Sequence, residues 1–273
     1  MPRFDWATIW RELVEASRAP ADMSVRNGDW WARRHRHQRP PEERWKRPNM
    51  FLSQVLERLE PTSTVIDVGA GTGAWTIPLA EHAARVTAVE PSAYMMEILQ
   101  ERAKRAGLDN VAFIAARWED IDVEPHSVVI CSHGMYASPE IVPFFKKMHC
   151  AATRSCHLVM RVTSRNGAYQ DLWRQLKGIA KPEEPHLIVA YNILHTLGIH
   201  ANVVVQPLPN YWISESIDDA VNLARDVLRL AEGEGHDAEL RDYLTHILNP
   251  VEGGLRWPDG LRAGMIWWDK EEE

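Results

Sequence analysis

Cysteine is scarce in this chain of 273 residues. Its three cysteines, Cys131, Cys150 and Cys156, are odd in number and widely spaced, with no C-x-x-C pair. That set argues against a disulfide framework and against a thiolate zinc site, so we expect reduced, buried thiols. His35 and His37 form a short H-x-H pair, but no matched carboxylate or thiol completes a ligand set. We therefore predict no metal.

Long apolar runs are also missing. No uninterrupted stretch approaches the eighteen or so residues that a transmembrane helix needs. The first residues, Met1 to Asp5, lack the basic and then apolar pattern of a secretory signal peptide. We therefore expect a soluble, cytoplasmic protein with no membrane partner.

The chain as a whole has no excess of positive charge, and its net charge is −7. Residues 26–47 are locally basic, with eight Lys or Arg against three acids, whereas residues 212–273 hold six against fifteen. The basic segment interleaves Trp30 and Trp31 with Arg34, which could attract an anionic substrate. The acidic balance of the whole chain disfavours a nucleic-acid partner.

Two catalytic signatures are not present. The order G-x-x-x-x-G-K-[ST] of a phosphate-binding P-loop does not occur, and no serine-centred nucleophile elbow follows a strand. Phosphoryl transfer and serine hydrolysis are therefore unsupported by any motif in this sequence.

The most informative segment present is Val65-Ile66-Asp67-Val68-Gly69-Ala70-Gly71-Thr72-Gly73. It is an apolar strand with an acid near its end, followed by glycines at alternate positions where a helix should begin. Glycine permits the sharp turn and the close approach of a ligand to the backbone. Asp67 could accept hydrogen bonds or face a cationic amine beside the helix N-terminus. The segment therefore predicts a nucleoside-like cofactor.

A second strand, residues 85–90, ends in Glu90, about twenty residues beyond the first glycine. An acid at that point would hold the ribose of either NAD or S-adenosylmethionine. Gly69-x-Gly71-x-x-Ala74 also satisfies the dinucleotide fingerprint, so the loop alone leaves both cofactors open.

Four segments taken together resemble the class I S-adenosylmethionine-dependent methyltransferases of the type 11/12 kind. They are Val65 to Gly73, V-T-A-V-E-P-S-A-Y-M from Val86 to Met95, R-W-E-D from Arg117 to Asp120, and V-V-I-C-S-H-G-M-Y from Val128 to Tyr136. The resemblance covers roughly residues 50–165. The chain departs from the family pattern at Arg117 and Ser127, where related sequences often carry aspartate.

The resemblance implies S-adenosylmethionine as cofactor and assigns roles to individual residues. The glycine loop would underlie the methionine part, Glu90 would hold the ribose hydroxyls, and Met95 would pack on the adenine. The loop after the third strand would line the adenine edge, and the end of the fourth strand would reach the sulfonium. The full predicted cofactor set is Asp67, Gly69, Ala70, Gly71, Gly73, Glu90, Pro91, Met95, Arg117, Trp118, Glu119, Ser132 and His133.

Apolar strands alternate with helical segments from Thr64 to Val162, which builds a mostly parallel sheet. We predict an α/β, Rossmann-like fold of seven strands with helices on both faces and, by the resemblance, an antiparallel last strand. The predicted parts are an N-terminal helical arm or lid over 1–60, a cofactor-binding core over 61–165, an inserted helical cap over 166–200 and a C-terminal completion of the sheet over 201–273. Oligomeric state is not predicted.

His133 is the candidate general base, because it follows the fourth strand and titrates near neutrality. A histidine that only hydrogen-bonds backbone or cofactor is the alternative. Tyr136 could orient an acceptor group, although it could equally be ordinary packing. In the arm, Trp30, Trp31 and Arg34 are candidate substrate contacts, and pinning of the arm to the surface is the competing interpretation.

The function predicted from the sequence is methyl transfer from S-adenosylmethionine to a small-molecule acceptor, with an anionic acceptor favoured by the basic segment. One alternative is a protein or RNA methyltransferase. Another is a nonenzymatic module that binds S-adenosylmethionine or S-adenosylhomocysteine. An NAD-dependent oxidoreductase is permitted by the glycine loop and disfavoured by the later motifs. The acceptor atom is left open.

Overall fold

The architecture comes from a computed structural model that describes residues 4–18, 50–162, 167–178, 183–208, 213–228, 230, 235–258 and 261–270. Two helices precede the sheet, α1 (Trp6–Arg18) and α2 (Met50–Leu56). The candidate substrate residues Trp30, Trp31 and Arg34 lie outside the described residues. No helix in the described ranges is long and apolar enough to cross a membrane.

The central unit alternates strands and helices as predicted. The elements in chain order are β1 (Thr64–Val68), α3 (Thr76–Ala80), β2 (Arg85–Val89), α4 (Ala93–Arg105), β3 (Val111–Ile114), β4 (His126–Ser132), α5 (Ile141–Ala151) and β5 (Ala152–Arg161). Single 3₁₀ turns cover Trp118–Asp120 and Met135–Ala137.

The remaining elements complete the sheet and add a second unit. They are α6 (Gly167–Lys177), α7 (Leu187–Thr196), β6 (Asn202–Leu208), β7 (Ile213–Ser214), α8 (Ile217–Leu228), α9 (Asp237–Ile247), β8 (Asn249–Val251), β9 (Gly254–Arg256) and β10 (Leu261–Asp269).

The seven-stranded sheet has the order β3-β2-β1-β4-β5-β10-β6. Strands β1 to β5 pair in parallel, whereas β10 pairs antiparallel with both β5 and β6. The predicted fold class is therefore confirmed, including the antiparallel last strand. The carboxyl ends of β1, β2 and β4 share one edge, where open α/β sheets bind ligands.

Apolar layers cover both faces of this sheet. One core contains Trp10, Phe145 and Ile193 from three helices packed against strand residues such as Ile66 and Ile266. The other contains Phe51, Leu79 and Val86 among its members. The amphipathic helices α1 and α7 thus bury apolar stripes against the sheet, which is the dominant source of stability for such layers.

The division of the second half of the chain differs from the prediction. Leu172 and Trp173 of α6 pack with Leu223 of α8, Leu244 of α9 and Trp257 in a separate core. Helix α7, predicted to belong to the cap over 166–200, instead packs on the main core. The added unit therefore combines α6 with α8, α9, Trp257 and a three-stranded sheet β7-β9-β8 that the sequence did not predict.

Helix α3 is short and ends at Ala80. The side chain of Asn110 donates to the carbonyl oxygens of Ala80 and Ala83 at 2.8 and 2.9 Å. These bonds satisfy carbonyls at the end of the helix. A residue thirty positions away in sequence thus helps to set where α3 stops.

Candidate functional site

The glycine loop turns tightly over the end of β2. Gly69, Gly71 and Gly73 have φ values of +72°, +56° and +88°, the left-handed region that glycine tolerates best. The amides of Gly69 and Ala70 both donate to the carbonyl oxygen of Val89, at 2.8 and 3.0 Å. The loop is therefore tied to the neighbouring strand by backbone hydrogen bonds.

The three glycines are required for different reasons. A Cβ on Gly69 would lie 2.9 Å from the Cα of Gly134, and a Cβ on Gly73 would collide with Leu99. Among the described residues, a Cβ on Gly71 would come within 4 Å of a single atom, the Gly69 carbonyl oxygen, at 4.0 Å. Internal packing thus explains Gly69 and Gly73, whereas the space at Gly71 is left for a ligand.

Glu90 connects the glycine loop to the end of β2 by hydrogen bonds. Its Oε2 accepts from the amide of Gly71 and its Oε1 accepts from the amide of Ser92, both at 2.8 Å. The residue is only 6 % exposed. A carboxylate oxygen accepts more than one hydrogen bond, which is the chemistry that a ribose hydroxyl needs. Ser92 in turn caps α4 by accepting from the amide of Met95.

Asp67 is buried near the end of β1 and accepts a hydrogen bond, which is one of its two predicted roles. It is 1 % exposed, and its Oδ2 accepts from the Thr76 hydroxyl at 2.6 Å. Burial raises the pKa of Asp67 to about 7, against the lowering effect of the Thr76 hydrogen bonds. The carboxyl group therefore helps to fix the start of α3, where Thr76 is the first helical residue.

The raised pKa predicts a pH-dependent stability. A carboxyl whose pKa rises from 3.8 unfolded to about 7 folded binds more protons in the folded state. The free energy of unfolding should therefore fall as pH rises from about 4 to 7, by up to about 4 kcal/mol. Urea unfolding of wild type and of Asp67→Asn across this range measures the effect. Equal pH slopes for the two proteins would contradict it.

The residues predicted to line the adenine divide into two groups. Trp118 is 3 % exposed, stacks edge-on to Phe144 and lies beneath the Lys147 ammonium, so its side chain belongs to the core. Burial would raise the pKa of Glu119, but a backbone amide and Arg117 hold it below the usual value. Glu119 is half-exposed and forms an ion pair with Arg117. Its ionised carboxylate can accept a hydrogen bond from the polar edge of an adenine ring.

Other predicted cofactor residues lie around the same edge. Pro91 is exposed directly after Glu90, and Met95 on α4 is 7 % exposed. Ser132 ends β4, paired with Val159 of β5. These positions follow from the parallel register of β1, β2 and β4 and keep the residues as candidates for cofactor contact.

His133 occupies a strained position at the end of β4. Its φ is +59°, and it is the only non-glycine residue with positive φ in the described ranges. Its amide donates to the carbonyl oxygen of Val159 at 2.9 Å. Such conformations cost of order 1–3 kcal/mol and concentrate at functional sites. The exposed His133 therefore stands at the carboxyl edge of the sheet, with its backbone held by this hydrogen bond.

Sequence reasoning missed Gly134. A Cβ there would lie 2.9 Å from the carbonyl oxygen of Val68, 3.0 Å from Cys131 Sγ and 3.2 Å from the Cα of Gly69. The backbone of the His133 turn thus packs directly on the backbone of the cofactor loop. The only sequence signal was a glycine immediately after His133, whose contact partner is 65 positions away.

Comparison with known proteins supports this geometry. Residues 65–154 match the family described as "Methyltransferase domain". This segment is a methyltransferase domain. It spans the glycine loop, Glu90 and the His133 turn, and the seven-stranded sheet around it is the class I methyltransferase fold.

Similarities to individual proteins cover different shares of the chain. An uncharacterised protein from Haemophilus influenzae is 24 % identical over 235 residues, 82 % of this chain and 83 % of that protein. A 23S rRNA (uracil(1939)-C(5))-methyltransferase from Alkalilimnicola ehrlichii is 42 % identical over 68 residues, which are 24 % of this chain and 15 % of that enzyme. Magnesium protoporphyrin IX methyltransferase from Synechocystis, solved with bound S-adenosylhomocysteine, has a TM-score of 0.50 at 13 % identity, over 81 % of this chain and 82 % of that one.

S-adenosylmethionine is the cofactor of this methyltransferase family. The residues present fit it, because Gly71 leaves a space that a side chain would fill and Glu90 presents a carboxylate beside that space. The loop glycines and Glu90 would hold it, and the His133 turn would face its reactive end.

Proposed function

We propose that this chain transfers a methyl group from S-adenosylmethionine to a small-molecule acceptor, and that acceptor and methyl donor meet beside the His133 turn. The observation that carries the proposal is the Glu90 carboxylate, which bridges the amides of Gly71 and Ser92 at the edge where β1, β2 and β4 end. A carboxylate at this position can accept hydrogen bonds from the two ribose hydroxyls, and the open glycine loop leaves room for the methionine part of the cofactor.

The protein's main task in this reaction is to align the acceptor with the methyl group. When bound, S-adenosylmethionine supplies a methyl group already activated by a sulfonium. The glycine loop and Glu90 fix the donor end of the cleft, and His133, held by its hydrogen bond to Val159, lies at the acceptor end. Bringing the two reactants into line accounts for much of the rate enhancement available to such an enzyme.

The small-molecule acceptor is favoured over a macromolecule by charge. The net charge of −7 opposes a polyanionic partner, and the similarity to the rRNA enzyme is confined to about a quarter of this chain. The Synechocystis enzyme, with this fold, takes a porphyrin, which is an analogy at the level of the fold.

RNA is the second candidate acceptor. The 42 % identity over 68 residues to an rRNA methyltransferase and the basic segment 26–47 both favour it. Labelled methyl transfer to total bacterial RNA, compared with transfer to a small-metabolite extract, separates the two. Label recovered only in RNA would replace the small-molecule proposal.

The first test is calorimetric titration with S-adenosylhomocysteine and, separately, with NAD(H). We expect binding of S-adenosylhomocysteine in the micromolar range, about −8 kcal/mol, and no heat from NAD(H). The reverse result would make the chain an oxidoreductase. Tight binding with no turnover on either acceptor pool would identify a nonenzymatic binding module.

A further inference from the structure

Lys147 of α5 contacts both ends of the turn formed by residues 117–121, the Trp118 turn. Its ammonium donates to the backbone carbonyl oxygens of Trp118 and Ile121, which begin and follow the single 3₁₀ turn. The same nitrogen lies 4.6 Å from the centroid of the Trp118 ring. One side chain therefore joins the backbone and the first ring of this turn to α5.

These contacts match the chemistry of an ammonium group. It carries three N–H donors and no acceptor, so carbonyl oxygens and the face of an aromatic ring are suitable partners. The last carbonyl oxygens of a helical turn have no partner within that turn, and Lys147 supplies a donor to them. Phe144, one turn earlier on α5, packs edge-on against the Trp118 ring. The helix thus holds the Trp118 turn through two of its residues.

The Trp118 turn lies beside the proposed ribose site. The amide of Glu90 donates to the carbonyl oxygen of Ile114, the last residue of β3, at 3.1 Å. The turn begins three residues later, at Arg117. Because β2 and β3 pair in parallel, both segments leave the sheet at its carboxyl edge.

Glu119 is the carboxylate at the centre of this turn. Its Oε1 lies 3.2 Å from Nη2 of Arg117. Burial opposes ionisation, but a hydrogen bond from its own backbone amide and the neighbouring Arg117 keep the pKa of Glu119 below its usual value. An ionised carboxylate only accepts hydrogen bonds, and the amino group of adenine is a donor.

We propose that Lys147 is a positioning residue for adenine recognition: by holding the Trp118 turn on α5, it places the Glu119 carboxylate where it accepts from the adenine amino group of the cofactor. The proposal rests on the function proposed above, because it requires S-adenosylmethionine in the cleft. Lys147 acts through the turn and not by contact with the cofactor.

The two carbonyl contacts distinguish this role from ordinary packing. A methionine at position 147 keeps a long, flexible side chain that packs against the Trp118 ring, but it has no donor. The carbonyl oxygens of Trp118 and Ile121 would then have to move to reach water or another donor. Glu119 lies between these two residues in sequence, so its carboxylate would be displaced with them.

Calorimetric titration of the full-length protein tests the proposal without any methyl acceptor. The ligands are S-adenosylhomocysteine and its deamino analogue, which has hydrogen in place of the adenine amino group. For wild type we expect the deamino analogue to bind about tenfold or more weakly, as the loss of a hydrogen bond to a charged group predicts. In Lys147→Met the ratio of the two dissociation constants should fall below about threefold.

Lys146→Met is the matched control, because Lys146 is the neighbouring lysine on α5 and is exposed. It should keep the wild-type ratio. Lys147→Gln retains an amide donor for one of the two carbonyl oxygens, so its ratio should be intermediate. This variant carries the same test if Lys147→Met does not fold.

Glu119→Ala shows whether Lys147 acts through this carboxylate. Removal of the carboxylate should bring the ratio to about one, and Glu119→Ala combined with Lys147→Met should lower it no further. A wild-type ratio in folded Lys147→Met or Lys147→Gln would overturn the proposal. A ratio near one in the wild-type protein would overturn it as well, because Glu119 would then not bind the amino group.

The same titrations separate this inference from the proposed function. Tight binding of S-adenosylhomocysteine with a ratio that does not respond to Lys147 would defeat only the present inference. The expected ratios without methyl transfer to either acceptor pool would defeat only the proposed function. Absence of binding in the wild-type protein would defeat both.

Discussion

Replacing Gly71 with arginine is expected to weaken binding of S-adenosylhomocysteine by at least about 100-fold while the chain stays folded. Of the three loop glycines, Gly71 has the most room at its Cβ position within the described part of the chain, where the nearest atom is the Gly69 carbonyl oxygen at 4.0 Å. A long cationic side chain there would fill the volume that the cofactor needs, without colliding with the core.

The positive φ of Gly71 complicates this experiment, because any side chain at +56° adds strain of roughly 1 kcal/mol. Gly107 offers a matched control. Its φ is +69°, no atom of the described residues lies within 4 Å of its Cβ position, and it follows the C-terminal end of α4. Gly107→Arg should lose similar stability and bind normally by calorimetry. Equal affinity in the two variants would remove the loop from the binding site.

Much of the core was predictable from local pattern. The apolar strand from Thr64 to Val68, followed by glycines, predicts a tight turn after β1. The alternation of apolar strands with helical segments predicts a parallel sheet. The edge at which Glu90 and His133 meet follows from topology alone, because parallel strands end together.

What sequence reasoning missed depends on contacts between distant residues. Trp118 could be placed after β3, but its burial against Phe144 depends on where α5 packs. Asp67 is buried and accepts a hydrogen bond from Thr76, and Gly134 is constrained because a Cβ there would lie 3.2 Å from the Cα of Gly69. Contacts between such distant residues produce no periodic pattern in the local sequence.

The unit formed by α6, α8, α9 and the small sheet was not predicted, for a different reason. Strands β7, β8 and β9 are two or three residues long, too short to show alternation. Pro250 in β8 reads as a strand breaker, yet β8 is an edge strand, where proline is tolerated. Helix α6 joined this unit through Trp173, a contact made with elements about fifty residues later.

Removing the Glu90 carboxylate should be nearly as damaging to binding as blocking the loop. In Glu90→Ala the amides of Gly71 and Ser92 lose their acceptor, and the proposed ribose contacts disappear with them. Two hydrogen bonds to a charged group correspond to about a 100-fold rise in the dissociation constant for S-adenosylhomocysteine.

Glu90→Gln separates charge from shape. Glutamine keeps one acceptor oxygen, but its amide nitrogen would face the Gly71 or Ser92 amide as a second donor. We expect about a tenfold loss for glutamine against about 100-fold for alanine, measured by calorimetry, because one of the two anchoring bonds survives. Wild-type affinity in a folded Glu90→Ala protein would mean that Glu90 serves only the loop and that the ribose is held elsewhere.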